Sequence, residues 1–301
     1  MKTVFLAGGT GMLGTSLSKH LKKSGFNTLI QGHKQKADFN IDMKDLHSFR
    51  RILDEVNPDI IINLICLSDV DECERNKQLS YDLNVAPVGT ISHWIDSSQQ
   101  AQERKKTKFI QISTDHVYCQ DKLNKEEDTV IINNYADSKF NAEQIALKSD
   151  GLILRTNFFG KSMVPRRNSF TDWLDKNIAE KNFPINLFKD VFFSPLSLDS
   201  LSYFIIHAIN NFHPGIYNLG SKVSHYEKGC SKADFALEYS DYLKKNIENI
   251  NLISVDEMNF KAKRPNGMMM DVSKFEKSFK INLPTLSSEI ELFNSTKGHE
   301  I

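Results

Sequence analysis

The chain has 301 residues, enough for one large α/β domain or for one domain with a smaller lobe. Forty per cent of the residues are hydrophobic and 25 per cent charged, as in ordinary soluble globular proteins. Lys plus Arg and Asp plus Glu number 38 each, so no global basic field recruits nucleic acid, and that class of partner is set aside.

Four cysteines, Cys66, Cys73, Cys119 and Cys230, form neither a C-x-x-C pair nor a zinc spacing. They read as reduced thiols of a cytoplasmic protein, with Cys66 in the core, and no metal is expected. The apolar run Val4–Ala7 breaks at Gly8-Gly9, too short for the apolar region of a signal peptide. No stretch of eighteen apolar residues occurs, so no membrane partner is expected.

Val4–Ala7 reads as a buried strand, and Gly8-Gly9-Thr10-Gly11-Met12-Leu13-Gly14 follows at once. Leu13, Leu17 and Leu21, at i, i+4 and i+8, start a helix inside that loop. Gly9-x-Gly11-x-x-Gly14 matches the dinucleotide fingerprint, and Gly8-x-x-Gly11-x-x-Gly14 matches a variant of it. Glycines serve a tight turn, backbone approach to a pyrophosphate, and helix–strand packing. The phosphates then meet N–H groups at the helix N-terminus.

A second strand is expected over Asn27–Gln31. An NAD site usually places an acid at its end, for the ribose 2′-OH. Here the end reads Gln31-Gly32-His33-Lys34-Gln35-Lys36, which suits a 2′-phosphate and favours NADPH over NADH. A solvated surface loop is the plain alternative. Asp42, or in second place Asp38, accepts from an adenine amino group; capping the amphipathic helix Leu46–Val56 is the plain alternative.

Ile60–Ile65 is a continuous apolar run, typical of a strand covered on both faces. The alternation of strands and helical patterns implies a right-handed parallel sheet that binds ligands beyond its carboxyl edge. Leu64, Ile65 and Ser68 fall at that edge. The acidic stretch Asp69–Glu74 lacks an oxygen-cage pattern and is rejected as a metal site. A helix from about Pro87 to Gln100 is followed by a polar, basic stretch to Lys108. The next strand, Phe109–Ile112, delivers Ser113-Thr114-Asp115 to the same edge.

The central motif is Tyr135-Ala136-Asp137-Ser138-Lys139. In a helix over 135–148, Tyr135 and Lys139 share one face. An ammonium beside a phenol favours the phenolate and lowers the tyrosine pKa from its ordinary value of about 10. Such a tyrosine exchanges a proton with an alcohol or sugar oxygen, and a hydroxyl from Ser113 or Thr114 holds that oxygen. Alone, the Tyr–Lys spacing equally describes an exposed helix pair.

Gly151–Arg155 is another buried strand, delivering Arg155-Thr156-Asn157-Phe158. Arginines and aromatic rings gather from Phe158 to Arg167, groups that suit a nucleotide diphosphate and its base. Phe192–Leu201 and Gly215–Leu219 look like returns to the sheet. Beyond them come a helix over Lys232–Lys245, an extended segment near Leu252–Val255, Arg264-Pro265-Asn266-Gly267, and a helix marked by Phe275 and Phe279.

These segments carry a resemblance to the extended short-chain dehydrogenase/reductases, above all to the dTDP-4-dehydrorhamnose reductase family. The similar stretches run nearly end to end. They are Gly8–Gly14, Pro58–Asn63, Val70-Asp71 with Glu74, Asn84, Ser113–Tyr118, Tyr135–Lys139 with Glu143, Leu154–Thr156, Pro195, Gly215–Tyr217, and Arg264-Pro265 with Asp271. The resemblance implies a Rossmann-like, doubly wound parallel α/β sheet with a smaller C-terminal substrate lobe. Residues 1–157 with about 191–220 would bind the cofactor, and about 158–190 with 221–301 the substrate.

The implied activity is NADPH-dependent reduction of a nucleotide-linked 4-keto-6-deoxy sugar, with NADH possible as donor, by a monomer or homodimer. Thr114, Tyr135 and Lys139 would be catalytic. The candidate cofactor contacts are Gly8, Thr10, Gly11, Met12, Leu13, Gly14, His33, Lys34, Asp42, Met43, Leu64, Ile65, Ser68, Ser113, Tyr135 and Lys139. The candidate substrate contacts are Ser113, Asp115, Asn157, Phe158 and Arg264.

Departures from the family pattern shape the expectation. Asp115-His116 replaces the Asp-Glu of sugar 4,6-dehydratases, which argues against dehydration. Leu64-Ile65 replaces a small Ala-Ala pair and would crowd the cofactor side. Met269 stands where the family has an arginine, which alters contact with the nucleotide or sugar. Two other readings stay open: a non-catalytic NADP-binding subunit like the regulatory β subunit of methionine adenosyltransferase, and a nucleotide-sugar epimerase.

Overall fold

The computed structural model describes residues 1–100, 106–180, 184–223, 229–244, 247 and 249–297. In chain order its first elements are β1 (Thr3–Ala7), α1 (Met12–Lys23), β2 (Asn27–Gly32), β3 (Phe39–Asn40), α2 (Leu46–Val56) and β4 (Ile60–Asn63). Then come α3 (Val70–Arg75), α4 (Lys77–Asn84), α5 (Ala86–Gln100), β5 (Lys108–Thr114), α6 (Asn134–Lys148), β6 (Leu152–Thr156) and β7 (Phe158–Phe159). The rest is α7 (Phe170–Glu180), β8 (Ile185–Phe188), β9 (Leu196–Ser197), α8 (Leu198–Asn210), β10 (Gly215–Leu219), α9 (Lys232–Tyr242), β11 (Ile250–Ile253), α10 (Ser273–Phe279) and α11 (Leu286–Lys297).

Seven strands form the central sheet in the order β10-β6-β5-β4-β1-β2-β3. The pairs β1–β2, β1–β4, β2–β3 and β4–β5 are parallel. Chain order reverses between β1 and β4, which puts a topological switch point there, the place where open α/β sheets hold ligands. All four residues of β4 are buried, as its unbroken isoleucines require.

The chain divides into two compact units. The first comprises Met1–Thr114, Asn133–Arg155 and Ser202–Tyr217. Phe5, Phe49, Ile61, Trp94, Phe109 and Ile153 anchor its core. Trp94 is fully buried, and its indole N–H donates to Asp54 at 2.9 Å. Fully burying such side chains contributes about 1.5–3 kcal/mol each, as an upper estimate.

The second unit comprises Asp115–Ile132, Thr156–Leu201 and Asn218–Ile301. Its core is aromatic: Phe159 meets Phe235 edge-on at 5.0 Å, and Phe235 stacks on Tyr239. Two small parallel sheets, β11–β8 and β7–β9, lie in this unit. A capping box between Ser231 and Asp234 starts α9.

Several elements differ from the sequence expectation. Residues 192–201 do not return to the central sheet: β9 is two residues long and pairs with β7, and α8 begins at Leu198. The edge beyond β6 is taken by β10. The extended segment near Leu252–Val255 is β11, shifted to Ile250–Ile253. Lys245, the expected end of the α9 helix, and residues 101–105 of the basic stretch lie outside the described residues. Among the described residues no helix is long and apolar enough to cross a membrane.

Candidate active site

In the first unit β1 ends at Ala7 and the chain turns at Gly8, whose φ is +75°. A Cβ on Gly8 would lie 2.8 Å from the Ile65 backbone nitrogen, so only glycine fits the turn. Gly8 N–H donates to Gln31 Oε1 at 2.9 Å, and Gly11 N–H to Gly8 O at 3.0 Å. A Cβ on Gly14 would lie 2.5 Å from Gly9 O, so the helix and turn touch through backbone. No side chain caps α1, whose N-cap is Gly11, and its first turn carries no acid. The start of α1 thus has the electrostatic character that suits an anionic group such as a pyrophosphate.

Past β2, His33, Lys34 and Lys36 are exposed, and no acidic side chain stands among residues 31–37. Asp38 is bound to Ile30 N–H at 2.8 Å. Asp42 accepts from Lys44 N–H at 3.0 Å and does not cap α2; Asp45 does, accepting from Ser48 N–H. Met43 and Ile65 are buried in the core cluster. The crowding expected from Leu64-Ile65 therefore falls to the half-buried Leu64 alone. Ser68 is exposed.

Asn133 caps α6 by accepting from Ala136 N–H at 2.8 Å, so the helix begins just before Tyr135. Asn134 N–H donates to Glu74 Oε2 at 2.9 Å, and Asn84 Nδ2 donates to Ser138 Oγ at 2.9 Å. Asn84 Oδ1 also accepts from Leu67 N–H at 2.7 Å. These bonds tie the start of α6 to α3, to α4 and to the loop after β4. Tyr135 is 9 % exposed and Lys139 3 %. Lys139 Nζ donates to Ile112 O at 2.7 Å, which pins the ammonium against the end of β5.

Cys66, expected in the core, is half-buried, and its Sγ lies 4.0 Å from Tyr135 OH. Its neighbour Ile65 takes the core position instead.

Ser113 and Thr114, both buried, end β5. Ser113 Oγ donates to Glu143 Oε1 at 2.5 Å. Arg155 grips the same carboxylate twice, Nε to Oε1 at 2.9 Å and Nη2 to Oε2 at 2.6 Å. Glu143 and Arg155 are essentially inaccessible to solvent. Sequence reasoning noted Glu143 only as part of a motif and missed its link to Ser113. The signal was there: Tyr135, Lys139 and Glu143 are spaced at i, i+4 and i+8.

In the second unit Asp115 is buried and accepts from Asn157 Nδ2 at 2.6 Å. Phe158, half-buried, lies in β7, where it pairs with Leu196. Arg264 lies over the Phe260 ring at 4.4 Å, and its Nη1 donates to Ala262 O at 3.0 Å. Phe192 bridges Ser231 on one side and Gly267 on the other, which brings the segments of Lys232 and Arg264 together. The Lys232 ammonium lies 6.0 Å from the Phe170 ring centre. Burial lowers its pKa from the ordinary value; Asp115 opposes that shift and Arg264 adds to it.

Part of His116 reaches solvent, but its Nδ1 is shut off. Burial, and then the charges of Lys232 and Arg264, push its pKa down to about 3. Lys232 and His116 were not among the residues anticipated from sequence. Lys232 sits in a helix-start pattern that explains it locally, without reference to Asp115. Met269 is buried among Met268 and Met270, and its carbonyl accepts from Asn124 N–H at 2.9 Å. Among the described residues no cluster of His, Cys, Asp and Glu could hold a metal ion.

Residues 1–296 match the RmlD substrate binding domain family. The chain belongs to that family. Among its relatives in this wider group is the dTDP-4-dehydrorhamnose reductase of Aggregatibacter actinomycetemcomitans, 25% identical over 93% of this chain and 94% of the relative. A probable low-salt glycan biosynthesis reductase of Haloferax volcanii is 22% identical over 95% of both chains. The crystal structure of dTDP-4-dehydrorhamnose reductase from Bacillus anthracis in complex with NADP superposes with a TM-score of 0.84, at 22% identity, over 98% of this chain and 99% of that one. RmlD-family membership and this likeness agree with the parallel, Rossmann-like sheet described above.

Proposed function

We propose that the chain is an NADPH-dependent reductase of a nucleotide-linked 4-keto-6-deoxy sugar. The observation that carries this reading is the pairing of buried Tyr135 and Lys139 on one face of α6, with Lys139 bonded to the strand that ends in Ser113-Thr114. The names of the relatives support it, since they are reductases acting on dTDP-4-dehydrorhamnose or in glycan biosynthesis. The Bacillus anthracis reductase with NADP supports the choice of cofactor, as do the exposed His33, Lys34 and Lys36.

Gly8, Thr10, Gly11, Met12, Leu13 and Gly14 would hold the pyrophosphate, His33 and Lys34 the 2′-phosphate, and Asp42 the adenine edge. Of the other cofactor residues, Met43 and Ile65 would contribute backbone only, because their side chains are in the core. NADPH, when bound, supplies the hydride. Tyr135 gives its proton to the oxygen that becomes the alcohol. The Lys139 charge stabilises the phenolate left behind. Thr114 donates a hydrogen bond to the same oxygen and fixes its direction. Asp115, Asn157, Phe158 and Arg264 would bind the sugar and its nucleotide, and Lys232 with Arg264 would face the diphosphate.

The test is NADPH consumption with a panel of nucleotide 4-keto sugars, dTDP-4-dehydrorhamnose first. Turnover that collapses in Tyr135→Phe, while NADPH still binds, supports the reading. Retained NADPH binding with no turnover of any keto sugar would favour a non-catalytic NADP-binding subunit instead.

A further inference from the structure

Two side chains on one face of α6, one helical turn apart, meet the end of β5. Lys139 reaches Ile112 O, and Glu143, one turn further, reaches Ser113 Oγ. Arg155, on β6, closes the arrangement with two bonds to the Glu143 carboxylate. A serine hydroxyl has a single proton, and a carboxylate gripped by a guanidinium offers only acceptors. The Ser113 proton is therefore committed to Glu143. What the Ser113 oxygen can still offer a ligand is a lone pair.

We propose that Glu143, held by Arg155, is a positioning residue that makes Ser113 an obligate hydrogen-bond acceptor, so that the site reads a donor on the ligand at this point. The donor is a sugar hydroxyl or the carboxamide N–H of the cofactor. The proposal rests on the reductase reading for its ligands, and it separates two adjacent hydroxyls that look alike in sequence. Ser113 recognises a donor, and Thr114 donates a hydrogen bond to the ketone oxygen. Burial adds force to this division of labour. Neither Glu143 nor Arg155 can turn to water as an alternative partner, so the Ser113 orientation is held by the interior of the unit.

A double-mutant cycle on Ser113→Ala and Glu143→Gln tests it, read as kcat and KM for dTDP-4-dehydrorhamnose, NADPH affinity by fluorescence, and melting temperature. Each single change is expected to lower kcat/KM about 10- to 100-fold, and the double variant no further than the worse single one. Glu143→Asp, which keeps the carboxylate, is expected to recover most of the loss; should Glu143→Gln fail to fold, Ser113→Ala alone is read, and unchanged kcat, KM and NADPH affinity overturn the proposal. A rise in KM for the sugar identifies a sugar hydroxyl as donor; weaker NADPH binding identifies the carboxamide. Losses that multiply in the double variant, or a lower melting temperature with kcat and KM unchanged, overturn the proposal. Should the wild type reduce no keto sugar, the reductase reading fails and the cycle is read on NADPH affinity alone. Coupled losses there keep the proposal, and additive or absent losses overturn it.

Discussion

Tyr135 enters α6 at its second residue, because Asn133 caps the helix, and it stays nearly buried. Its replacement by Phe removes one oxygen and leaves the packing, so the chemical step alone should suffer. Turnover is expected to fall about 10²- to 10⁴-fold, with NADPH affinity within about twofold of wild type. Equal turnover in the two proteins would sink the general-acid role. Lys232 gives a second forecast. Lys232 is half-buried, and burial and the like charge of Arg264 work against its ammonium while Asp115 offsets part of that cost; an anionic ligand would relieve the rest. Lys232→Met should raise the KM for a nucleoside-diphosphate sugar about tenfold or more, leave kcat near wild type, and not lower the melting temperature. An unchanged KM would return Lys232 to a packing role.

At the scale of the element, two glycines make opposite forecasts. In the turn between β1 and α1, a Cβ on Gly14 would meet backbone atoms of Gly9 from 2.5 Å, and backbone cannot step aside as a flexible side chain can. Gly14→Ala should destabilise the protein by about 1–3 kcal/mol and weaken NADPH binding at least tenfold. Gly89 lies inside α5 with nothing within 4 Å of its Cβ position. Gly89→Ala should therefore stabilise by about 0.5–1 kcal/mol, seen as a higher melting temperature. Loss of stability at Gly89 would mean that this helix face is covered by something other than water. The turn was legible in the sequence because its three glycines keep a fixed spacing after a strand. The small β7–β9 sheet was not, because two-residue strands carry no periodicity and depend on a partner far along the chain.

At the scale of the whole molecule, buried charge makes stability depend on pH. His116 has a folded-state pKa of about 3, against an ordinary value of about 6.5. Above pH 6.5 it is neutral in both states and its contribution is complete. As the pH falls, only the unfolded chain takes up the proton, so stability drops by about 1.4 kcal/mol per pH unit until about pH 3. Between pH 7 and pH 5 this amounts to about 2 kcal/mol from the one residue. Urea denaturation at the two pH values should show that loss in the wild type and a smaller one in His116→Gln. Parallel slopes would show that other groups account for the whole of it. Ligand linkage provides an independent check, since NADPH at 100 times its Kd should add about 2.7 kcal/mol to the unit that binds it.

The chain by itself determined the local features: a glycine turn after a buried strand, an apolar run that must be covered on both faces, and a tyrosine and lysine one helical turn apart. Each follows from backbone geometry and side-chain periodicity within a dozen or so residues. Only the tertiary structure decided which groups share a proton or a field. It put the Ser113 proton on Glu143, sent Ile65 into the core while Cys66 faced Tyr135, and set Lys232 among Asp115, His116 and Arg264. These pairings depend on burial and on contacts between segments distant in the chain, and electrostatic interactions grow strong only where the packed interior has removed the water.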